Sequence, residues 1–381
     1  MEVVSFLLDY LAVAGVYALL AISMNVEYGW AGIPNFGKAA FVACGGAAAA
    51  IVAAQLGPPL LLGMPGAVPG PLSFFRKYSM ILMAYQHNPL ATWMVFLLSA
   101  VIGGAVAALL GVVFTFPAVR LREDYLAIAL LMAAELVWIT LRTVKPIMGG
   151  TMSMVLPSPD FKSIASILCG GREPPTWLTT AVKDSFIWLL VGLYILFTEK
   201  LLNSPFGRKL RAVRDDEVAA EALGKDVALS RLEAMVIGSM LAGIAGAVYA
   251  LVHLASVNPD NYLPDLTFMI LAMVLVGGVG NNWGALVGGA LLALVDRLGY
   301  MAGGYISSEL HMLWGGYIDY MIYGLVILVV IALRPQGLIP ERIVKTPAWI
   351  VYRLSGLPTP KTLTLYERVR GRIGRLWRRR S

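Results

Sequence analysis

Apolar runs about as long as a bilayer is thick recur along this 381-residue chain, and they leave few folds open. About 20 apolar residues in helical form cross the hydrocarbon core, and backbone groups inside lipid must find their hydrogen bonds within the protein. Such runs cover about Val3–Met24, Ala39–Leu56, Thr92–Phe114, Tyr125–Leu141, Ser185–Thr198, Leu232–His253 and Ile318–Leu333. Two shorter ones, Leu266–Gly280 and Ala285–Val295, flank the glycine-rich Gly277–Gly284 and read either as two tilted spans or as one re-entrant pair. With 58% hydrophobic and 14% charged residues, the chain is expected to be an all-α polytopic membrane protein of about eight or nine transmembrane helices. Gly57–Ala91 is too punctuated by proline and glycine to span. Its later part, Leu72–Tyr85 with Arg76 and Lys77, reads as an interfacial amphipathic helix or as a packed loop.

Lysine and arginine set the expected orientation. Lys200–Arg231 holds seven of them, the tail from Arg334 holds twelve, and Arg120 and Arg122 form a hinge between two runs. Positive loops stay on the cytoplasmic side, which puts the amino terminus, Gly57–Ala91 and Lys145–Asp184 outside and the carboxy terminus inside. The formal charge of +7 therefore speaks of orientation in a cell membrane and not of nucleic acid. The first ten residues carry Glu2 and Asp9 and no basic residue, so no cleavable signal is expected. Residues 1–340 read as a transmembrane domain containing a charged loop at 203–226, and 341–381 as a basic cytoplasmic tail.

Several chemistries have no support. There is no phosphate-cradling G-x-x-x-x-G-K-S/T run, no H-E-x-x-H and no G-x-S-x-G. Cys44 and Cys169 lack ligand or redox spacing. No catalytic residue, metal site or cofactor is expected on this chain.

The charged loop looks built. Ser204-Pro205 reads as an N-cap followed by a first helical residue. Asp215 or Asp216 can cap a second short helix, and Gly224 can end it in a left-handed conformation. Val218, Ala219, Ala222 and Leu223 give that second helix an apolar side, while Arg211, Arg214, Glu217 and Glu221 stay polar. Such a knob serves either as a coupling element or as a solvated loop. Two glycine-broken stretches lie in opposite halves of the chain: Asn25–Gly37, with Asn25, Gly29, Gly32 and Phe36, and Gly277–Gly284, with Gly277, Gly278 and Gly280. Paired breaks mark either a substrate path or tight turns at the membrane surface. Within the run Leu232–His253, Gly238, Ala242, Gly246 and Ala250 recur every four residues, a spacing that lets helix backbones approach closely in lipid. Glu135 falls mid-span and needs a partner or water; Lys38 is the partner considered for it. Glu27, Asp296 and Arg297 lie near expected span ends, within snorkelling reach of the interface.

Gly207–Gly224 resembles the cytoplasmic coupling loop of branched-chain amino-acid ABC importer permeases of the LivM type. Tyr17–Asn25 with Asn35–Phe41, Leu121–Ile128, and Gly277–Gly284 with Arg334–Leu338 are similar to the same family, so the likeness runs from about Tyr17 to Leu338. It implies a non-catalytic permease paired with a second permease subunit, two ABC ATPases that bind ATP and Mg, and an extracytoplasmic solute-binding protein. Arg211, Arg214, Asp216, Glu217, Glu221 and Gly224 would couple to the ATPases, with a cationic ATPase surface facing the two glutamates. Asn25, Gly29, Gly32, Phe36, Lys38, Glu135, Gly277, Gly278 and Gly280 would line the solute path. The solute would be leucine, isoleucine or valine, with urea or a short amide as the alternative within the family. Departures are Lys38 where a histidine is usual, the altered Gly149–Ser153 and the long Gly57–Ala91. From other classes, the rivals are an ion-coupled transporter using Glu135 as its proton site, and a membrane scaffold without transport.

Overall fold

The computed structural model describes residues 2–69, 73–118, 123–310, 324–325, 327–330, 332–334 and 336–341. In chain order its helices are α1 (Glu2–Met24), α2 (Lys38–Ile51), α3 (Ser73–Gln86), α4 (Pro89–Ala118), α5 (Glu123–Thr143), the short α6 (Lys145–Met148) and α7 (Phe161–Leu168), α8 (Thr176–Asn203), α9 (Pro205–Asp215), α10 (Glu217–Ala222), α11 (Val227–Val248), α12 (Asp265–Gly277) and α13 (Asn282–Leu310). Two strands, β1 (Met154–Val155) and β2 (Ser256–Val257), pair antiparallel with Met154 opposite Val257.

Six segments are long and apolar enough to cross a membrane: Phe6–Trp30, Lys38–Leu56, Pro89–Phe116, Tyr125–Thr143, Thr176–Asn203 and Val227–Leu254. The helices α12 and α13 add one bent unit, their axes turning by 119° at the break between them. At 13 residues, α12 is roughly 20 Å long, short of a core about 30 Å thick. Among the described residues the count is thus six, or seven with the bent pair, against an expected eight or nine. The expected span Ile318–Leu333 lies largely outside the described residues, as do Arg120, Arg122 and the basic tail beyond Glu341. The fifth span is longer than expected. Pro175, in an extended conformation, starts α8 at Thr176, so a polar first third rides on the same helix as the apolar run.

The small-residue stripe decides how the bundle closes. A Cβ on Gly246 would sit 2.0 Å from the Val42 carbonyl oxygen of α2, and one on Gly243 would sit 2.4 Å from the Gly103 carbonyl oxygen of α4. Helix α11 therefore meets two neighbours backbone to backbone, the contact that small residues permit in lipid. Replacing Gly246 by leucine is expected to pry α11 from α2 and destabilise the fold by about 3 kcal/mol or more, read as a lowered thermal midpoint of the purified protein.

The two long connections fold onto each other at the end of the bundle away from α9 and α10. In α3, Phe74, Tyr78, Ile81 and Tyr85 form a buried stripe, and the Tyr78 hydroxyl donates to the Val155 carbonyl at 2.6 Å. Burial pushes that phenol far above the usual tyrosine range, so it stays a donor. The amide of Asp160 donates to Thr92 Oγ1 at 3.1 Å, and Trp93, Phe96, Phe161 and Phe186 pack ring against ring. Of the two readings of Leu72–Tyr85, the loop is replaced from Ser73 on by a two-sided helix, which packs through this stripe and leaves Phe75, Met80 and Met83 exposed.

Candidate functional site

At the other end of the bundle, α9 and α10 form the knob. Ser204 is the N-cap residue of α9 and Pro205 its first helical residue; the Ser204 hydroxyl turns back to the Leu201 carbonyl at 2.6 Å. Asp216, in an extended conformation, separates the two helices, and its carboxylate accepts the Ala219 amide at 3.0 Å. Gly224 follows with φ +76°, a conformation that a side chain disfavours; its N–H donates to the Glu221 carbonyl at 2.8 Å. The apolar side of α10 is where the structure departs from expectation. Val218 and Leu223 are 78% and 79% exposed, and Ala220 is the residue turned inward. A six-residue helix has room for one contact face, and here Ala220 and an ion pair between Glu217 and Arg231 supply it. Glu217 thus has a cationic partner within its own chain, whereas an ATPase surface was expected to provide one.

The two glycine breaks meet each other directly. Helix α1 widens into a π-helical turn over Asn25–Trp30, and Asn25 is fully buried. Its Nδ2 donates to Asn282 Oδ1 at 3.0 Å, its Oδ1 accepts the Gly280 amide at 3.0 Å, and Asn282 Nδ2 donates to Thr198 of α8 at 3.1 Å. A Cβ on Gly29 would lie 2.7 Å from the Gly280 nitrogen. The second break is also held from behind by the stretch that begins at Arg334. Leu338 N–H donates to the Val276 carbonyl at 2.9 Å and Ile339 N–H to that of Gly277 at 2.8 Å. Gly278, at φ +130°, has the Ile339 oxygen 2.1 Å from where a Cβ would stand, so no other residue fits.

Arg214, the last basic residue of α9, ties these parts together. Its Nη1 donates to the Gly29 carbonyl of the first break, and its Nη2 pairs with Glu341 at 2.9 Å and Asp215 at 3.3 Å. Cβ positions built on Gly32 and Gly280 fall 3.0 and 3.1 Å from Arg214 atoms. One guanidinium therefore joins the knob, both breaks and the segment after Arg334, which lie far apart in sequence. Of the expected residues, Asn25, Gly29, Gly32, Gly277, Gly278, Gly280 and Arg214 come together here. Arg211 instead donates to the Leu202 carbonyl at 3.0 Å, Asp216, Glu221 and Gly224 stay in the outer knob, and Phe36 packs on Phe268 with centroids 5.5 Å apart.

Lys38 and Glu135 are not partners. Lys38 Nζ lies 2.9 Å from Glu27 Oε1, with both side chains fully buried, and it donates to the Ser23 and Gly238 carbonyls at 3.1 and 3.0 Å. Asn35 Nδ2 completes the group by donating to Glu27 Oε2 at 2.7 Å. Glu27 does not snorkel: the widened turn carries it inward, to where Gly238 leaves space, since a Cβ there would be 2.3 Å from Oε1. Glu135 is half-buried on α5. An acid and a base flanking one glycine break, Glu27 and Lys38, are the sequence signal for this pair.

The described residues thus form a bundle of apolar helices whose breaks are tied by one arginine to a charged knob. That is the outline of a membrane permease. The chain belongs to the family described as "Branched-chain amino acid transport system / permease component", which it matches over residues 6–331. It is 32% identical over 340 residues to a probable branched-chain amino acid transport permease protein LivM of Methanocaldococcus jannaschii, covering 87% of this chain and 93% of that one. To the high-affinity LivM permease protein of Salmonella typhimurium it is 27% identical over 345 residues, covering 87% and 69%. A probable permease protein LivH of Methanocaldococcus jannaschii is 31% identical over 155 residues, covering 40% of this chain and 44% of that one. The family is one of permease components, so the chain's work is passage and not catalysis.

Proposed function

We propose that this chain is the transmembrane permease subunit of an ATP-driven ABC importer that carries leucine, isoleucine and valine into the cell. It works beside a second, LivH-like permease, two ATPases that bind ATP and Mg, and an extracytoplasmic solute-binding protein. Residues 1–340 form the permease domain, with the amino terminus outside and the carboxy terminus in the cytoplasm. The observation that carries the reading is the Arg214 junction. Val218 and Leu223, exposed on α10, form the apolar contact on which an ATPase seats. Displacing the knob pulls Arg214 against Gly29 and Glu341, and the path opens where the breaks at Asn25–Gly37 and Gly277–Gly284 part.

The test is uptake of labelled leucine into vesicles holding the complex. Uptake should require ATP inside and persist when ion gradients are collapsed; uptake driven by a gradient alone would overturn the reading. Glu135→Gln should leave the rate within about twofold, because no proton passes through it. Single cysteines at Lys162 and Leu223, both well exposed, should react with an impermeant reagent from opposite sides of the membrane. Reaction from one side would remove the orientation.

A further inference from the structure

The short helix α7, at the end of the bundle opposite the knob, takes no part in the Arg214 junction. Its eight residues show three different sides. Phe161 and Ala165 turn inward and are buried. Lys162, Ser163 and Ser166 line a cavity of about 880 Å³ that lies between α3, α7 and the first turns of α8. Ile164, Ile167 and Leu168 form the third side, three and four residues apart and hence on one edge of the helix. That edge is bare: Ile167 is 75% exposed and Leu168 67%. A contiguous apolar edge without cover marks contact with a protein or with a membrane.

The place of α7 in the bundle chooses between them. Phe161 packs on Phe186 of α8 with ring centroids 5.7 Å apart, and Trp93 of α4 closes on both, at 5.3 and 5.1 Å. Phe186 heads a stripe of α8 that continues at helical spacing through Leu189, Leu193 and Leu196, all exposed. The stripe holds only large apolar side chains, whereas α11 meets its neighbours through small residues. It is therefore a side that faces lipid, and α7 sits over its head. Lys183 and Lys200 bracket this part of α8, roughly 26 Å apart along the axis, against a hydrocarbon core about 30 Å thick. Phe186 lies one turn inside Lys183, so α7 is held where the core gives way to headgroups. Tryptophan collects at that depth, and Trp93 stands there. The cavity side of α7 is wet by contrast: Lys162 is well exposed and lies 3.8 Å from the exposed Glu173.

We infer that α7 is an interfacial helix whose partner is the lipid leaflet on this side of the membrane. Ile164, Ile167 and Leu168 enter the boundary between headgroups and acyl chains, while Lys162, Ser163 and Ser166 keep to the cavity and the water. Anchored so, α7 fixes the depth of these ends of α4 and α8 and walls the cavity off from lipid. The contact depends on the membrane class of the chain and not on its solute.

The test is a spin-label depth measurement on the purified transporter complex in vesicles of phosphatidylethanolamine and phosphatidylglycerol. Cys169→Ser removes the neighbouring free thiol, and labels are placed through Ile167→Cys on the apolar edge and Lys162→Cys on the polar side. Power saturation with oxygen, which collects in lipid, and with a water-soluble nickel chelate gives the depth of each label. The label of Ile167→Cys should lie about 5–10 Å into the boundary and respond to oxygen, and that of Lys162→Cys should respond to the chelate. Response to the chelate at both positions would overturn the lipid contact. Shielding of the Ile167→Cys label from both reagents, in the complex itself or after solute-binding protein is added, would give this edge to a protein partner and overturn it as well. If Ile167→Cys does not assemble, Leu168→Cys replaces it with the same expectation.

Discussion

Replacing Arg214 by alanine is expected to stop leucine uptake while ATP hydrolysis continues. Among the described residues, this side chain bonds to Asp215 beside it on α9, to the Gly29 carbonyl in the first break and to Glu341 behind the second. Hydrogen bonds to a charged group contribute about 1.5–3 kcal/mol each, so loss of two of them unlatches the knob from the spans. Each part keeps its own fold: Leu210 and Val213 still bury α9, and the Asn25–Asn282 bond still joins the breaks. Uptake should fall by more than about twentyfold, since roughly 3 kcal/mol of linkage is lost. Arg214→Lys should fall in between, because an ammonium keeps the charge but cannot reach Gly29 and Glu341 with a rigid fork. Hydrolysis and uptake measured on the same vesicles decide the matter. Uptake within about twofold of wild type in Arg214→Ala would show that force reaches the spans by another route.

The second large effect is on stability. Lys38→Met should destabilise the folded protein by about 3–5 kcal/mol, because it leaves the Glu27 carboxylate buried without its cation. The ammonium also satisfies the Ser23 and Gly238 carbonyls, so three helices lose a shared tie at once. Glu27→Gln together with Lys38→Met removes both charges, and Asn35 can still bond to the amide that replaces the carboxylate; the double variant should recover more than half of the loss. Thermal unfolding of both single variants and the double one closes the cycle. Equal destabilisation by the single and the double changes would mean that shape, and not charge, holds this spot.

Much of the knob was legible in the sequence because its rules are local. Ser204-Pro205, Asp216 and Gly224 act within a few residues of themselves, and each cap stands where it was expected. The exposure of Val218 and Leu223 was not legible, since it depends on which side of α10 Ala220 and the Glu217–Arg231 pair turn inward. Asp184 was read as the end of a polar loop. Its place inside α8 follows from a helix start at Pro175 and from α1 packing alongside.

By itself, the sequence determined the membrane class, the apolar spans, the small-residue stripe of α11 and the caps of the knob. All of these rest on length, periodicity and short-range bonding. Only the tertiary structure decided that Lys38 pairs with Glu27, that Arg214 gathers four distant stretches, and that Arg297 of α13 pairs with Asp9 of α1. Those outcomes turn on distances between residues as far apart as Asp9 and Arg297, and such distances exist only once the helices have packed.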